Sequence, residues 1–163
     1  MIQDIKIRTI RPEDNVAIAK IIRDGLAEFG ANKPGTVYYD PTTDHLFELF
    51  STTPNSIYFI AEKDEEVVGG AGVFPTDALP EGTCEFVKMY LRKDVRGIGL
   101  GKLMIEKSLE AAKEFSYKSV YIESMPELTK ALSVYEKFGF EYLDGPLGNS
   151  GHTGCDRWMI KVL

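Results

Sequence analysis

Residues 96–102 read Arg96-Gly97-Ile98-Gly99-Leu100-Gly101-Lys102, and their reading decides the fold. Three alternating glycines strip the side chains from a turn, so backbone N–H groups can aim at an anion. Leu103, Met104, Leu109, Ala112 and Phe115 follow at the spacing of an amphipathic helix, whose positive end faces the same place. Residues 88–102 also carry Lys88, Arg92, Lys93, Arg96 and Lys102 against the single acid Asp94, a local excess of four positive charges. Two common phosphate-binding patterns do not fit. A P-loop needs Gly where Arg96 stands and Ser or Thr where Leu103 stands. The dinucleotide fingerprint Gly-x-Gly-x-x-Gly fails at Lys102 when counted from Gly97, and at Met104 when counted from Gly99.

Outward from the loop, the chain alternates strand and helix patterns. Thr83 to Leu91 reads as the strand that enters the loop. Before it, Ile5 to Ile10 has strand alternation, and a helix follows through Val16, Ile18, Ala19, Ile22, Leu26 and Phe29, closed by Gly30. Residues 31–43 read as a loop, Leu46 to Phe50 as a short helix, and 56–62 and 67–74 as two strands of a hairpin. Beyond the glycine loop come a strand at 119–123, a helix opened by Pro126 and closed by Gly139, a strand from Phe140, and a last strand at 156–163. The order β-α-α-β-β-β-α-β-α-β-β predicts an α/β (α+β) fold, a mixed, mostly antiparallel sheet flanked by helices. No repeat or linker divides the chain, so residues 1–163 are expected to form one domain.

Composition narrows the class. The chain has 163 residues, 44% apolar and 27% charged, ordinary for a globular protein. Nineteen basic residues against 25 acidic ones give a net charge of −6, which excludes a general nucleic-acid binder and a ligand of anionic membranes. Residues 1–6 carry no leader pattern and no stretch is apolar enough to span a bilayer, so a cytoplasmic protein is expected. Cys84 and Cys155 are expected as free thiols.

A second pattern accompanies the loop. Residues 131–140, Ala-Leu-Ser-Val-Tyr-Glu-Lys-Phe-Gly-Phe, lie one helix and one strand further on. Arg96-x-x-Gly99-x-Gly101 resembles the coenzyme A pyrophosphate loop of the GCN5-related N-acetyltransferase (GNAT) family, and Ala131-x3-Tyr135-x3-Gly139-Phe140 resembles its second motif. The likeness runs from the first strand to Phe140. It implies the acyl-CoA N-acyltransferase fold, acetyl-CoA as cosubstrate, and direct transfer to an amine without an acyl-enzyme. It also implies that Met89 and Leu91 lend backbone groups to the cofactor arm, and that Arg96, Gly97, Ile98, Gly99, Gly101 and Lys102 hold its pyrophosphate. Where many members carry Asn three residues before the alanine, this chain has Leu128, so that contact is not carried over.

The same resemblance places Tyr135 near the thioester sulfur as the acid, although Ala131, Tyr135 and Phe138 share a helix face and packing alone also accounts for a tyrosine there. Glu85, at the start of the central strand, is the candidate base, and Met89 N–H the oxyanion donor. Tyr38 and Tyr39, with Asp40 beside them, fall in the segment that lines the acceptor pocket in the family and could cradle an amine. Gly151-His152-Thr153-Gly154-Cys155-Asp156 looks like the C-terminal end of a subgroup of small bacterial acetyltransferases, which brings His152 to the acceptor. Two Cys and two His at this spacing match no zinc pattern, and no metal is expected. The expected activity is acetyl transfer to a small-molecule or amino-acid-like amine. Acetylation of protein lysines or N-termini, and a non-catalytic acyl-CoA sensor, are the alternatives. An exposed sheet edge makes a homodimer possible.

Overall fold

The strand and helix periodicities resolve, in a computed structural model that describes residues 2–163, into seven strands and four α-helices in the predicted order. They are β1 (Ile5–Thr9), α1 (Asn15–Glu28), α2 (Leu46–Ser51), β2 (Ile57–Lys63), β3 (Glu66–Phe74), β4 (Thr83–Leu91), α3 (Leu100–Glu114), β5 (Ser119–Ser124), α4 (Thr129–Lys137), β6 (Glu141–Leu143) and β7 (Arg157–Val162). The strands make one sheet in the order β1-β2-β3-β4-β5-β7-β6, antiparallel throughout except for β4 beside β5. The mixed, mostly antiparallel sheet read from the sequence is the one observed.

Helices cover both faces. Ile18, Ile22 and Leu26 of α1, at i, i+4 spacing, join Leu46 and Phe50 of α2 against Tyr58 and Ile60 on one face. Leu100, Met104 and Ile105 of α3 and Leu132 of α4 pack on Val120 and Ile122 on the other. Each such fully buried aliphatic side chain contributes about 1.5–3 kcal/mol. Buried Asp14 fixes the start of α1 to the sheet, accepting two bonds from the Arg8 guanidinium (2.7 and 3.0 Å) and one from Arg11 N–H (2.7 Å). Among the described residues no helix is long and apolar enough to cross a membrane.

Several boundaries differ from the sequence expectation, for local reasons. Phe140 starts no strand: its N–H bonds Tyr135 C=O and Gly139 N–H bonds Glu136 C=O, the paired closure that ends α4. Pro126 lies before α4, because Leu128 N–H first closes a turn on Met125 C=O. The segment 31–43 contains short 3-10 turns at Val37–Tyr39 and from Pro41, the latter capped by Asp40.

Two features of β4 create the site. It pairs with β5 only over Thr83, Cys84 and Glu85; beyond that point β5 stays with β7 and the two parallel strands part. On the β3 side the register jumps between Gly70↔Tyr90 and Gly72↔Val87, leaving Lys88 and Met89 without partner positions. Lys88 sits in this bulge at φ 53°, a conformation few non-glycine residues adopt.

Candidate active site

The parting of β4 from β5 opens a cavity of about 380 Å³. Its walls include Met89 and Leu91 from β4 and Ala131, Val134 and Tyr135 from α4, and its mouth is ringed by the glycine loop. The loop is built as its sequence requires. Arg92 N–H bonds Val68 C=O (2.7 Å), a 3-10 turn with buried Val95 follows, and Gly97 (φ 79°) and Gly99 (φ 91°) lead into the N-terminus of α3. Only glycine takes those angles without strain. Gly101 and exposed Lys102 complete the rim. Ile98 differs: its side chain packs into the α3 core and does not line the cavity. The Arg96 guanidinium is engaged at three points. It donates to Leu91 C=O (3.0 Å), pairs with Glu28 at the end of α1, and lies 5.4 Å from the Phe29 ring centroid.

A smaller chamber of about 50 Å³ shares Phe86, Lys88, Tyr90, Glu123, Ser124 and Leu128 with the larger cavity, so the two spaces meet. Glu85 is buried there, 5% exposed, and accepts a hydrogen bond from Thr76 Oγ1 (2.5 Å). Burial, reinforced by the charge of Glu123, raises its carboxyl to about 7 against the opposing effects of Thr76 and Lys88. It can therefore hold or release a proton at neutral pH. His152 reaches the chamber from the loop before β7, and its Nε2 donates to Asp40 Oδ2 (2.8 Å). Burial opposes the charge of Asp40, but the bonds from His152 and Thr42 and the Lys88 charge keep its carboxyl below the usual range.

Tyr135 lines the larger cavity, edge-on to Phe86 and Phe140 at 6.0 Å. Its hydroxyl has no hydrogen-bond partner among the described residues, and burial raises its pKa, so it stays a proton-bearing phenol. The sequence left packing and chemistry as alternatives for this residue; its ring packs while its edge borders the cavity.

The tyrosine cradle expected from the sequence does not form. Tyr39 is 58% exposed with its ring tilted against that of Tyr38, while Tyr38 C=O accepts from Arg23. Neither lines either of the two spaces described above. The 3-10 turn over Val37–Tyr39 directs Val37 to the chamber instead, and Asp40 reaches it only through His152.

Three further side chains stand in the chamber that the sequence pattern does not single out: Lys88, Tyr90 and Glu123. A lysine inside the otherwise apolar run Phe86-Val87-Lys88-Met89-Tyr90 is the one signal that could have found the first. Glu123 accepts from Tyr121 Oη (2.7 Å) and from Ser150 Oγ. Cys155 also faces the chamber, but burial and then Glu123, Glu85 and Asp156 push its thiol up to about 12, which removes it as a nucleophile at neutral pH. Both cysteines are free. Among the described residues no three His, Cys, Asp or Glu side chains are grouped to hold a metal ion.

The bulge has its own support. Tyr58 of β2, 1% exposed, reaches across β3 and donates its Oη–H to Lys88 C=O at 2.7 Å. It crosses at Gly70, where a Cβ would lie 2.5 Å from the ring. The glycines of β3 thus make room for a tyrosine and for neighbouring strands.

Residues 25–140 match the Acetyltransferase (GNAT) family. The chain is 38% identical over 159 residues to the uncharacterized N-acetyltransferase YjgM of Escherichia coli (strain K12), covering 96% of this chain and 94% of that one. The crystal structure of a GNAT-family acetyltransferase from Staphylococcus aureus Mu50 superposes with a TM-score of 0.85 at 17% identity, over 97% of this chain and 98% of that chain. That of the PaiA N-acetyltransferase from Thermoplasma acidophilum, in complex with coenzyme A, superposes at 0.74 and 16% identity, over 98% and 99%.

Proposed function

The chain belongs to the Acetyltransferase (GNAT) family and is an N-acetyltransferase; from that premise we propose that it moves the acetyl group of acetyl-CoA directly to the amine of a small, amino-acid-like acceptor. The observation that carries this reading is the meeting of two spaces at β4: a long cavity running to the glycine loop, and a small chamber holding a buried carboxyl poised near neutrality. The loop's left-handed glycines and the N-terminus of α3 suit a pyrophosphate, with Lys102 beside them. The unpaired edge of β4 at Met89 and Leu91 suits an extended amide-bearing arm, taken up as if it were an added strand. The residues present therefore fit acetyl-CoA.

In this mechanism ionised Glu85 takes a proton from the acceptor's ammonium, directly or through one water. The neutral amine attacks the thioester carbon. Met89 N–H, outside both strand ladders, meets the charge that develops on the carbonyl oxygen. The C–S bond breaks, Tyr135 Oη–H protonates the departing sulfur, and the second proton lost by the nitrogen returns to the Tyr135 oxygen, leaving an amide, the CoA thiol and one proton on Glu85 for release to solvent. His152, held by Asp40, forms one wall against which the acceptor rests.

The test is CoA release from acetyl-CoA, followed with a thiol reagent over a panel of small amines and amino acids. Turnover that Glu85→Gln and Tyr135→Phe each reduce at least tenfold supports the reading. Tight acetyl-CoA binding without turnover on any acceptor would replace it with a non-catalytic sensor.

A further inference from the structure

We propose that Lys88 is the anion-binding residue of the acceptor chamber, and that the acceptor is an amine bearing a carboxylate, an α-amino acid or close relative, held with its ammonium towards Glu85 and its carboxylate towards Lys88. The inference rests on the acceptor-chamber reading above and names the substrate class that the chamber would take.

Lys88 is the one lysine or arginine that lines the chamber, and it stands where the chamber meets the larger cavity. Its backbone is fixed in an uncommon conformation, φ 53°, inside the β4 bulge and tied at its carbonyl by Tyr58. A left-handed conformation at a non-glycine residue persists where the surroundings over-determine it.

The ammonium itself has no partner. Among the described residues no carboxylate lies within ion-pair distance of Lys88 and no hydrogen bond engages its side chain. The nearby acids are occupied elsewhere. Glu85 accepts from Thr76, Asp40 from Thr42 and His152, and Glu123 from Tyr121 and Ser150. Lys88 is half-buried, and an arriving carboxylate would give its ammonium a charged hydrogen-bond partner. Burial pushes the Lys88 ammonium down while Glu85 and Asp40 hold it up, so an added anion against Nζ favours its charged form.

Glu85 and Glu123 on the chamber wall favour a cationic amine, so the two ends of a zwitterion meet opposite charges. A plain monoamine would leave Lys88 unpartnered. The remaining lining, Leu26, Val37, Val87, Met125 and Leu128, is apolar and suits an aliphatic side chain. During transfer one proton of the amine passes to Glu85, Tyr135 protonates the sulfur, and the second proton of the nitrogen returns to Tyr135. Lys88 keeps its protons and only holds the carboxylate.

The test uses the CoA-saturated protein titrated calorimetrically with N-acetyl-alanine, N-acetyl-valine, N-acetyl-leucine and N-acetyl-methionine and with their carboxamides. At least one acid is expected to bind tenfold or more tightly than its amide. Lys88→Met should bring that ratio within twofold of one, and Lys88→Arg should restore most of the preference. Equal binding of acid and amide across the four wild-type pairs, or a preference that survives Lys88→Met, overturns the proposal. The wild-type comparison stands alone if the variants do not fold. A second arm measures CoA release with the free amino acids and their amides. Equal turnover of the two overturns the anion site and leaves acetyl transfer standing. A preserved binding preference with no turnover overturns acetyl transfer and leaves the anion site standing.

Discussion

Replacing Tyr58 with Phe removes one atom, the hydroxyl that donates to Lys88 C=O at 2.7 Å, and it should slow the enzyme from across the sheet. The ring is 1% exposed, so water cannot readily replace the lost donor and the carbonyl is left unsatisfied. Such a deletion costs about 1–3 kcal/mol. At the middle of that range the melting temperature of a domain this size falls by roughly 4–8 °C. The bulge at Lys88 and Met89 has no ladder partner on β3 or β5, so this bond is a principal restraint on the proposed oxyanion donor. A displacement of that N–H by an ångström is worth up to about a hundredfold in rate. We expect kcat to fall 10–100-fold. Gly70→Ala should reproduce the defect, because its Cβ would lie 2.5 Å from Tyr58 Cε1 and 2.9 Å from Phe59 C=O. The double variant should lose less than the sum of the two, since both act through one ring. Steady-state kinetics with urea denaturation on the same preparations decides the matter. A Tyr58→Phe enzyme that loses stability as expected yet keeps kcat within twofold would refute the argument and reduce Tyr58 to a packing residue.

Four further outcomes can be checked. The limb of kcat/KM should rise with pH to a plateau above about 7, because Glu85 must be ionised to take a proton; Glu85→Gln should abolish that limb, and Thr76→Val should move it upward by removing a bond that favours the carboxylate. The same raised pKa makes wild type lose stability as pH rises from the unfolded-state value of 4.5 through 7, so Glu85→Gln should gain relative to wild type across that window in melting experiments. Tyr135→Phe should cut kcat 10–100-fold and change stability by less than about 1 kcal/mol, since its hydroxyl has no internal partner to lose. Gly99→Val imposes a β-branched side chain at φ 91° and should weaken CoA binding at least a hundredfold by calorimetry, with unchanged affinity refuting the loop assignment.

What was legible in the sequence was written in backbone chemistry. Glycines at 97 and 99 announce left-handed angles whatever surrounds them, and the helix periodicity after Leu100 fixes the direction of the dipole, so the loop could be read locally. Glu85 was legible because it stands at a strand start beside a motif. The chamber was not, and β4 explains why. Strict alternation would send Phe86, Lys88 and Tyr90 to one face and Val87, Met89 and Leu91 to the other. The observed strand keeps Phe86 with Met89 and Leu91 on the α3 side, and Val87 with Tyr90 on the α1 side. One residue of slip at Lys88 inverts every later side chain. That slip is held by a tyrosine thirty positions away, through a gap left by a glycine on the strand between them. None of the three residues carries the signal alone: Tyr58 reads as core, Gly70 as a loosened strand and Lys88 as one charge among several. The fold therefore follows from short-range patterns, whereas the placement of a cation between the two cavities follows from a register that only the assembled sheet specifies. The proposed choice of acceptor depends on that register, which is why substitutions at Tyr58 and Gly70, which line neither cavity, should act on the chemistry as well as on stability.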